Sequence, residues 1–265
     1  MNGYIDLHNH ILPNIDDGPA SIDESVLLAR QLVKIGFNTI AVTPHSFEGL
    51  PSPAVIMKNR FDLQEELDRL EIPLTLLPGS ELHIDPLLLQ RLKFGESLTL
   101  NESRYLLFEL PMIQPLPVYT EKLIGDLCRE GYRPIIPHPE RTTVLQHDYS
   151  LIYSLYDAGA LFQVTWGSLV GLLGPQAQEV ATFMLRHNLL HIMSTDAHSA
   201  ASRLYSVETA VDYIEKEQGK ALAEELLKIR PGKVINDEEL DLPEPLPLKK
   251  GAKRGLLRKF FFHHF

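Results

Sequence analysis

Short apolar, β-branched runs alternate along this chain with amphipathic stretches, the pattern of strand–helix units around a parallel sheet. Seven runs read as strands: "YIDLHN", "NTIAVT", "LTLLPG", "YLLFEL", "RPIIPH", "LFQVTW" and "LHIMST". Helices are predicted at about 21–35, 54–70, 116–130, 150–158, 175–187, 204–217 and 219–229. The first helix has a legible start and stop. Ser21 and Glu24 have the spacing of a capping box, and Gly36 suits the C-terminal end. Residues 237–250 are rich in Pro, Glu, Asp and Leu and carry neither pattern. The domain plan that follows is a barrel over 1–236 and an extension over 237–265.

Polar residues able to bind metal fall at the ends of six of the seven runs. His8 and His10 close the first, His45 follows the second, and Glu81 follows the third. Glu109 lies at the end of the fourth, His138 ends the fifth, and Asp196 and His198 follow the last. In a βα barrel all strand C-termini meet at one face, which carries the site. A lone histidine at a strand end is more often structural than a ligand, and "DDG" alone is more often a turn. Five histidines and three carboxylates at strand ends, with Asp17 after the first strand, are another matter, because the topology would gather them. His147, His187 and His191 have helical or loop contexts and read as packed or solvated, whereas His83 fits either role.

Imidazole and carboxylate without thiolate indicate Zn, Mn or Fe. Nine ligands are too many for one ion and suit two or three. Four carboxylates held together without metal would repel one another, whereas a site filled with three divalent ions would be net positive and attract an anion. Arg141, three residues after His138, and Arg203, five after His198, would reach the same face, where guanidinium pairs well with phosphate oxygens.

Composition narrows the class. The 265 residues are 44% hydrophobic and include one cysteine, which excludes an intrachain disulfide. No apolar run is long enough to span a membrane. The first strand begins at Tyr4, leaving no room for a signal peptide, so a cytoplasmic location is expected. The net charge is −10, but residues 246–265 hold six Lys/Arg and no acid, leaving −16 on the rest. An acidic body disfavours nucleic acid. The tail mixes cations with phenylalanines, which suits peripheral contact with an anionic membrane. Cys128 lies on a predicted helix with no histidine beside it, and position 134 is proline where a cysteine-dependent phosphatase needs arginine. Walker, G-x-S-x-G and GxGxxG motifs are absent. No lysine ends a strand, which disfavours a metal-dependent amidohydrolase.

The order HxH, DDG, TPH, GSE, FE, PHPER, DxH resembles the polymerase and histidinol phosphatase (PHP) superfamily. "HNHILPNIDDGP" with "PHPER" is closest to its bacterial protein-tyrosine phosphatase branch, linked to capsular and exopolysaccharide synthesis. The resemblance implies an α/β fold, a distorted seven-stranded (β/α)7 barrel of the PHP type. It also implies three divalent metal ions, usually Mn2+. Carried over by position, His8, His10, Glu81 and Asp196 would hold the first ion, with Glu81 bridging to the second. Glu109 and His138 would complete the second, and Asp17, His45 and His198 would hold the third. Arg141 and Arg203 would bind phosphate. The implied substrate is a phosphotyrosine protein, a membrane-anchored tyrosine kinase. A small-molecule phosphomonoesterase of the histidinol-phosphatase type would use the same ligands, and a non-catalytic metal-binding partner of the kinase is the non-enzyme alternative. Ser46 and Phe47 stand where several relatives carry basic residues, Thr142 where an aromatic is common, and Thr165 where asparagine is expected. These departures bear on substrate preference.

Overall fold

Prolines set the strand plan. In the computed structural model, which describes residues 3–200 and 203–248, the second predicted run is β2 (Phe37–Val42), and beyond Pro44 the chain adds an unpredicted short strand, β3 (His45–Ser46). The third is β4 (Thr75–Leu77), ended by Pro78, and a second unpredicted strand, β5 (Glu81–His83), follows it. Proline has no N–H for the ladder, and the pairing is interrupted at these two, although Pro134 and Pro137 are accommodated within β7. The strands on either side of each proline serve different sheets. β1 (Tyr4–Asn9), β2 and β4 form one sheet in the order β1-β2-β4. The second sheet contains β6 (Tyr105–Glu109), β7 (Arg133–Pro137), β8 (Leu161–Thr165) and β9 (Ile192–Ser194), in the order β3-β5-β6-β7-β8-β9. Every pairing is parallel.

The expected seven strands are therefore nine among the described residues, and the expected closed barrel is two open sheets. β1 forms no ladder with β9: it meets the chain beyond β9 through one isolated backbone bridge, Asn9 to Ala197, with His10 N donating to Ala197 O and Asp196 N to His8 O, and through side-chain bonds to Thr195. These few bonds suffice to bring the C-terminal ends of β1 and β9 together, which is what the site requires.

The helices cover the outer faces. They are α1 (Ile22–Ile35), α2 (Pro53–Arg69), α3 (Leu88–Lys93), α4 (Thr120–Arg129), α5 (Thr143–His147), α6 (Ser150–Asp157), α7 (Trp166–Leu169) and α8 (Pro175–Arg186), then α9 (Ser206–Gln218), α10 (Lys220–Glu224) and α11 (Arg230–Ile235). The Ser21 side chain accepts from Glu24 N, and Gly36, at φ 114, closes α1 with its N–H on Leu32 O and Val33 O. α4 starts later than the predicted 116, because Pro115 and Pro117 keep the segment before it irregular.

Alternation sorts the core. Leu106, Phe108, Ile136 and Phe162 join the large cluster under the helices, whereas Tyr105, Leu107, Ile135 and Ile192 join Ile5 and Leu7 in a smaller one on the opposite face. Val234 and Ile235 close that inner cluster from below. The segment after α11 is strapped across the strand starts. Arg104 binds Asp237, Tyr105 Oη donates to Glu238 O, and Leu246 N donates to His187 O. The basic tail from Lys249 onward lies outside the described residues.

Candidate metal centre

Strand ends carry the polar cluster, and Glu81 is at its centre. This carboxylate is fully buried at the start of β5. Its Oε1 lies 2.8 Å from His138 Nε2. Its Oε2 lies 2.9 Å from His45 Nδ1, 3.2 Å from His8 Nε2 and 3.3 Å from His10 Nε2. Yet Oε2 has no hydrogen bond of acceptable geometry, so it is a buried anionic oxygen ringed by three imidazoles without a directed donor.

Two neighbours explain why the ring nitrogens face inward. His8 Nδ1 donates to Gln163 Oε1 at 2.8 Å, and His10 Nδ1 donates to Asp16 Oδ2 at 2.8 Å. Both inner Nε2 atoms are thereby left as lone pairs, and they lie 3.0 Å apart. Two lone pairs at that separation repel unless a proton or a cation lies with them. In the metal-free protein the proton wins. Burial opposes charge on His10, but Asp16 and Glu81 outweigh it and push its pKa up to about 10. For Glu81, burial again opposes charge, and the facing histidines, His8 foremost, hold it well below the usual carboxylate range. A divalent cation meets the same demand without protons, and the all-N/O donor set fits Mn, Fe or Zn.

Around this centre the other expected residues take their places. His198 Nε2 and His45 Nε2 lie 3.2 and 3.4 Å from Asp17 Oδ1, and the His198 ring stacks on His10 at 4.0 Å. Asp196 Oδ1 lies 3.6 Å from both His8 and His10, and its Oδ2 accepts from Arg141 Nη1 at 2.7 Å. Glu109 Oε1 lies 3.8 Å from His138 Nε2. Three groups of donor atoms are close enough to share an ion: His10, Asp17, His45 and His198; His8, His10 and Glu81; and His45, Glu81 and Glu109. These overlap the sets implied by the resemblance but differ from them. His10 joins the third set, His45 rather than His138 joins Glu81 and Glu109, and Asp196 stands just outside the first. The side chain of Arg203 lies outside the described residues. Cys128 is half-buried on α4, where burial raises its thiol pKa, and it is in none of these groups.

Two of the strand-end residues are held in the left-handed region, His138 at φ 35 and Asp196 at φ 49. Such backbone costs on the order of 1–3 kcal/mol per residue and persists where the surroundings enforce it. At Asp196 the enforcement is visible next door. Asp6 is fully buried and accepts from Thr195 N, Thr195 Oγ1 and Asn9 Nδ2, pinning β1 to the turn after β9. Glu140, also buried, accepts from Thr165 N and Ser168 Oγ, tying the turn after β7 to the end of β8.

Asp16, Gln163, Asp6 and Glu140 belong to the site without being singled out by the sequence motifs. Asp6 was within reach, since D-x-H-x-H extends the period-2 pattern of the two histidines by one step. Gln163 is the lone amide in the strand run "LFQVTW", a buried polar residue needing a partner. Nothing in "DD" distinguishes Asp16, which orients His10, from Asp17, which faces His45 and His198.

The sequence model described as capsular polysaccharide synthesis, CpsB/CapC, matches residues 4–236. Tyrosine-protein phosphatase YwqE of Bacillus subtilis is 35% identical over 93% of this chain and 97% of its own length. The putative tyrosine-protein phosphatase CapC of Staphylococcus aureus is 35% identical over 89% of this chain and 92% of its own. A crystal structure from a study of YwqE and of CpsB from Streptococcus pneumoniae, described there as unique metal-dependent tyrosine phosphatases, superposes with a TM-score of 0.88 at 35% identity. It covers 93% of this chain and all of the other.

Proposed function

The chain belongs to the CpsB/CapC family of capsular polysaccharide synthesis, and on that premise we propose that it is a metal-dependent protein-tyrosine phosphatase. The observation that carries the reading is the buried Glu81 carboxylate with four imidazoles within 3.3 Å of its oxygens. A cluster this polar, closed from below by an apolar core and open at the strand ends, is a trap for cations and then for an anion.

His8, His10, Glu81 and Asp196 would hold one ion, Glu81, Glu109 and His138 a second, and Asp17, His45 and His198 a third, with manganese favoured over iron and zinc. When bound, such ions supply positive charge for phosphate oxygens and acidify water for attack on phosphorus. The chain's own residues do the rest. Gln163 and Asp16 keep the two inner imidazoles in the ligating tautomer. Glu81 holds four histidines from three strand ends around one point. Arg141 spends one of its five N–H groups on Asp196 and turns the remaining donors to the phosphate, where charge spreads in the transition state. Arg203 is assigned the same task from the segment after β9. A phenolate leaving group, with a pKa of about 10, departs with little protonation. The substrate is a phosphotyrosine protein, in this family's setting a membrane-anchored kinase of polysaccharide synthesis.

Parallel measurement of kcat/KM on a phosphotyrosine peptide and on histidinol phosphate, at saturating manganese, tests the reading. The peptide should be the better substrate. The opposite preference would make the protein a small-molecule phosphomonoesterase, and inactivity on both would leave a non-catalytic metal-binding partner.

A further inference from the structure

The rim of the cluster carries an aromatic ring that the metal chemistry does not use. β3 pairs with β5 so that His45 lies opposite Glu81 and Ser46 opposite Leu82. β5 in turn pairs with β6 so that His83 lies opposite Glu109. Ser46 and Leu82 are buried on the far face, so Phe47 follows His45 onto the site face by the alternation of a strand. One further step of the pairing sets Phe47 beside His83, and their ring centroids are 5.4 Å apart. His83 Nδ1 lies 3.7 Å from Glu109 Oε2. Phe47, His83 and Glu109 thus make a row one pleat above His45 and Glu81, running from an apolar ring to the edge of the ligand cluster.

This ring is held out deliberately. Phe47 is 57% exposed, a large apolar surface for which the fold offers no cover. It begins a two-residue hairpin in which Phe47 N donates to Leu50 O and Leu50 N to Phe47 O. The central residues, Glu48 at φ 52 and Gly49 at φ 80, have the doubly left-handed backbone of a type I′ turn. For glutamate that conformation is unfavourable, and Arg91 fixes it, with Nη1 donating to Glu48 O at 3.0 Å while Nε binds Asp85. The turn fixes the backbone that carries the ring, which lowers the entropy cost of ordering it on binding.

We propose that Phe47, backed by His83, is the platform for the phenyl ring of the substrate, so that this chain selects aryl over alkyl phosphates at the ring and not only at the phosphate. This rests on the phosphatase reading. An ester of tyrosine has its phosphate and its ring on opposite sides of one oxygen. With the phosphate at the Glu81 cluster, the ring must lie against the rim, and an aromatic partner at offset or edge-to-face distance is what a π-face prefers.

The test measures binding of phenylphosphonate and methylphosphonate to the manganese-loaded full-length protein by calorimetry, with hydrolysis of a phosphotyrosine peptide followed in parallel. The natural protein should prefer the phenyl ligand by on the order of tenfold. Phe47→Ala should abolish most of that preference, Phe47→Tyr should keep it, and Phe61→Ala, an exposed phenylalanine on α2, should keep it too. If Phe47→Ala keeps the preference, or weakens both ligands equally, the platform is wrong. Absence of peptide hydrolysis by the natural protein would refute the phosphatase reading instead, and the phosphonate affinities would still decide the role of Phe47.

Discussion

Glu81 concentrates the chemistry of this molecule in one side chain. Replacing it by glutamine keeps the shape and removes the charge that holds four imidazoles from three strand ends together. Glu81→Gln should therefore lower kcat by on the order of a thousandfold. Arg141→Ala should instead act mainly through KM, by roughly ten- to a hundredfold, since it removes a phosphate donor and leaves the cluster standing. Steady-state kinetics of the two variants separate these effects, and near-normal kcat in Glu81→Gln would mean that the cluster is misread. A second prediction concerns a histidine outside the site. His191 is fully buried, its Nδ1 accepts from Phe162 N, and burial together with the nearby Arg230 charge pushes its pKa down to about 3. Unfolding restores a value near 6.5, so below that pH the unfolded chain takes up a proton that the folded one refuses. Stability should fall as pH drops from 6.5 toward 3, by up to about 1.4 kcal/mol per unit from this group. His191→Asn, which can still accept from Phe162 N, should reduce the loss between pH 7 and pH 5 by about 2 kcal/mol in urea denaturation. An unchanged loss would show that His191 is protonated in the fold. Residue type and strand-end position mark nine candidate ligands in the sequence, and seven of them fall in the three donor groups of the structure, with His138 and Asp196 beside them. What they could not convey was orientation, because the partners that aim His8 and His10 come from a different strand and from a loop.

At the scale of elements, the loop from β1 to α1 has the least tolerance. Gly18 lies so close to the His10 carbonyl that an added Cβ would be 2.2 Å from that oxygen. Its N–H also binds Asp16 Oδ1 at 3.0 Å. Gly18→Ala must push the loop off His10, and with it both Asp16, which orients that ring, and Asp17, which faces His45 and His198. The variant should lose activity at least about tenfold and require more manganese for half-maximal rate. An unaltered manganese requirement would mean that the loop does not shape the centre. The glycine of "DDG" thus has a steric reason, although the sequence offers it only as a turn former. The seven strand runs were legible because alternation and β-branching mark them. The added strands beyond Pro44 and Pro78 and the change of sheet there were not, because a proline shows where a ladder stops but not which neighbour the chain finds next. The short β3 owes its existence to pairing with β5, and two residues carry no period of their own.

The molecule as a whole separates a supporting end from a reactive end. Val234, Ile235 and the strap that follows close the strand starts, while the histidines, carboxylates and Phe47 occupy the strand ends. No helix among the described residues is long and apolar enough to cross a membrane. Four carboxylates drawn to one face by a net acidic chain are tolerable only with cations or protons among them, so metal binding should couple to both stability and activity. At a free concentration of one hundred times Kd, a bound ion would stabilise the fold by about 2.7 kcal/mol. The most direct test is the rate of phosphate release from a phosphotyrosine peptide by exhaustively chelated protein, followed by titration with Mn2+. The account predicts a rate below about 1% of the starting value after chelation, in keeping with the loss of a dominant electrostatic contribution, and recovery on adding the ion. Hydrolysis that continues undiminished without metal would contradict it.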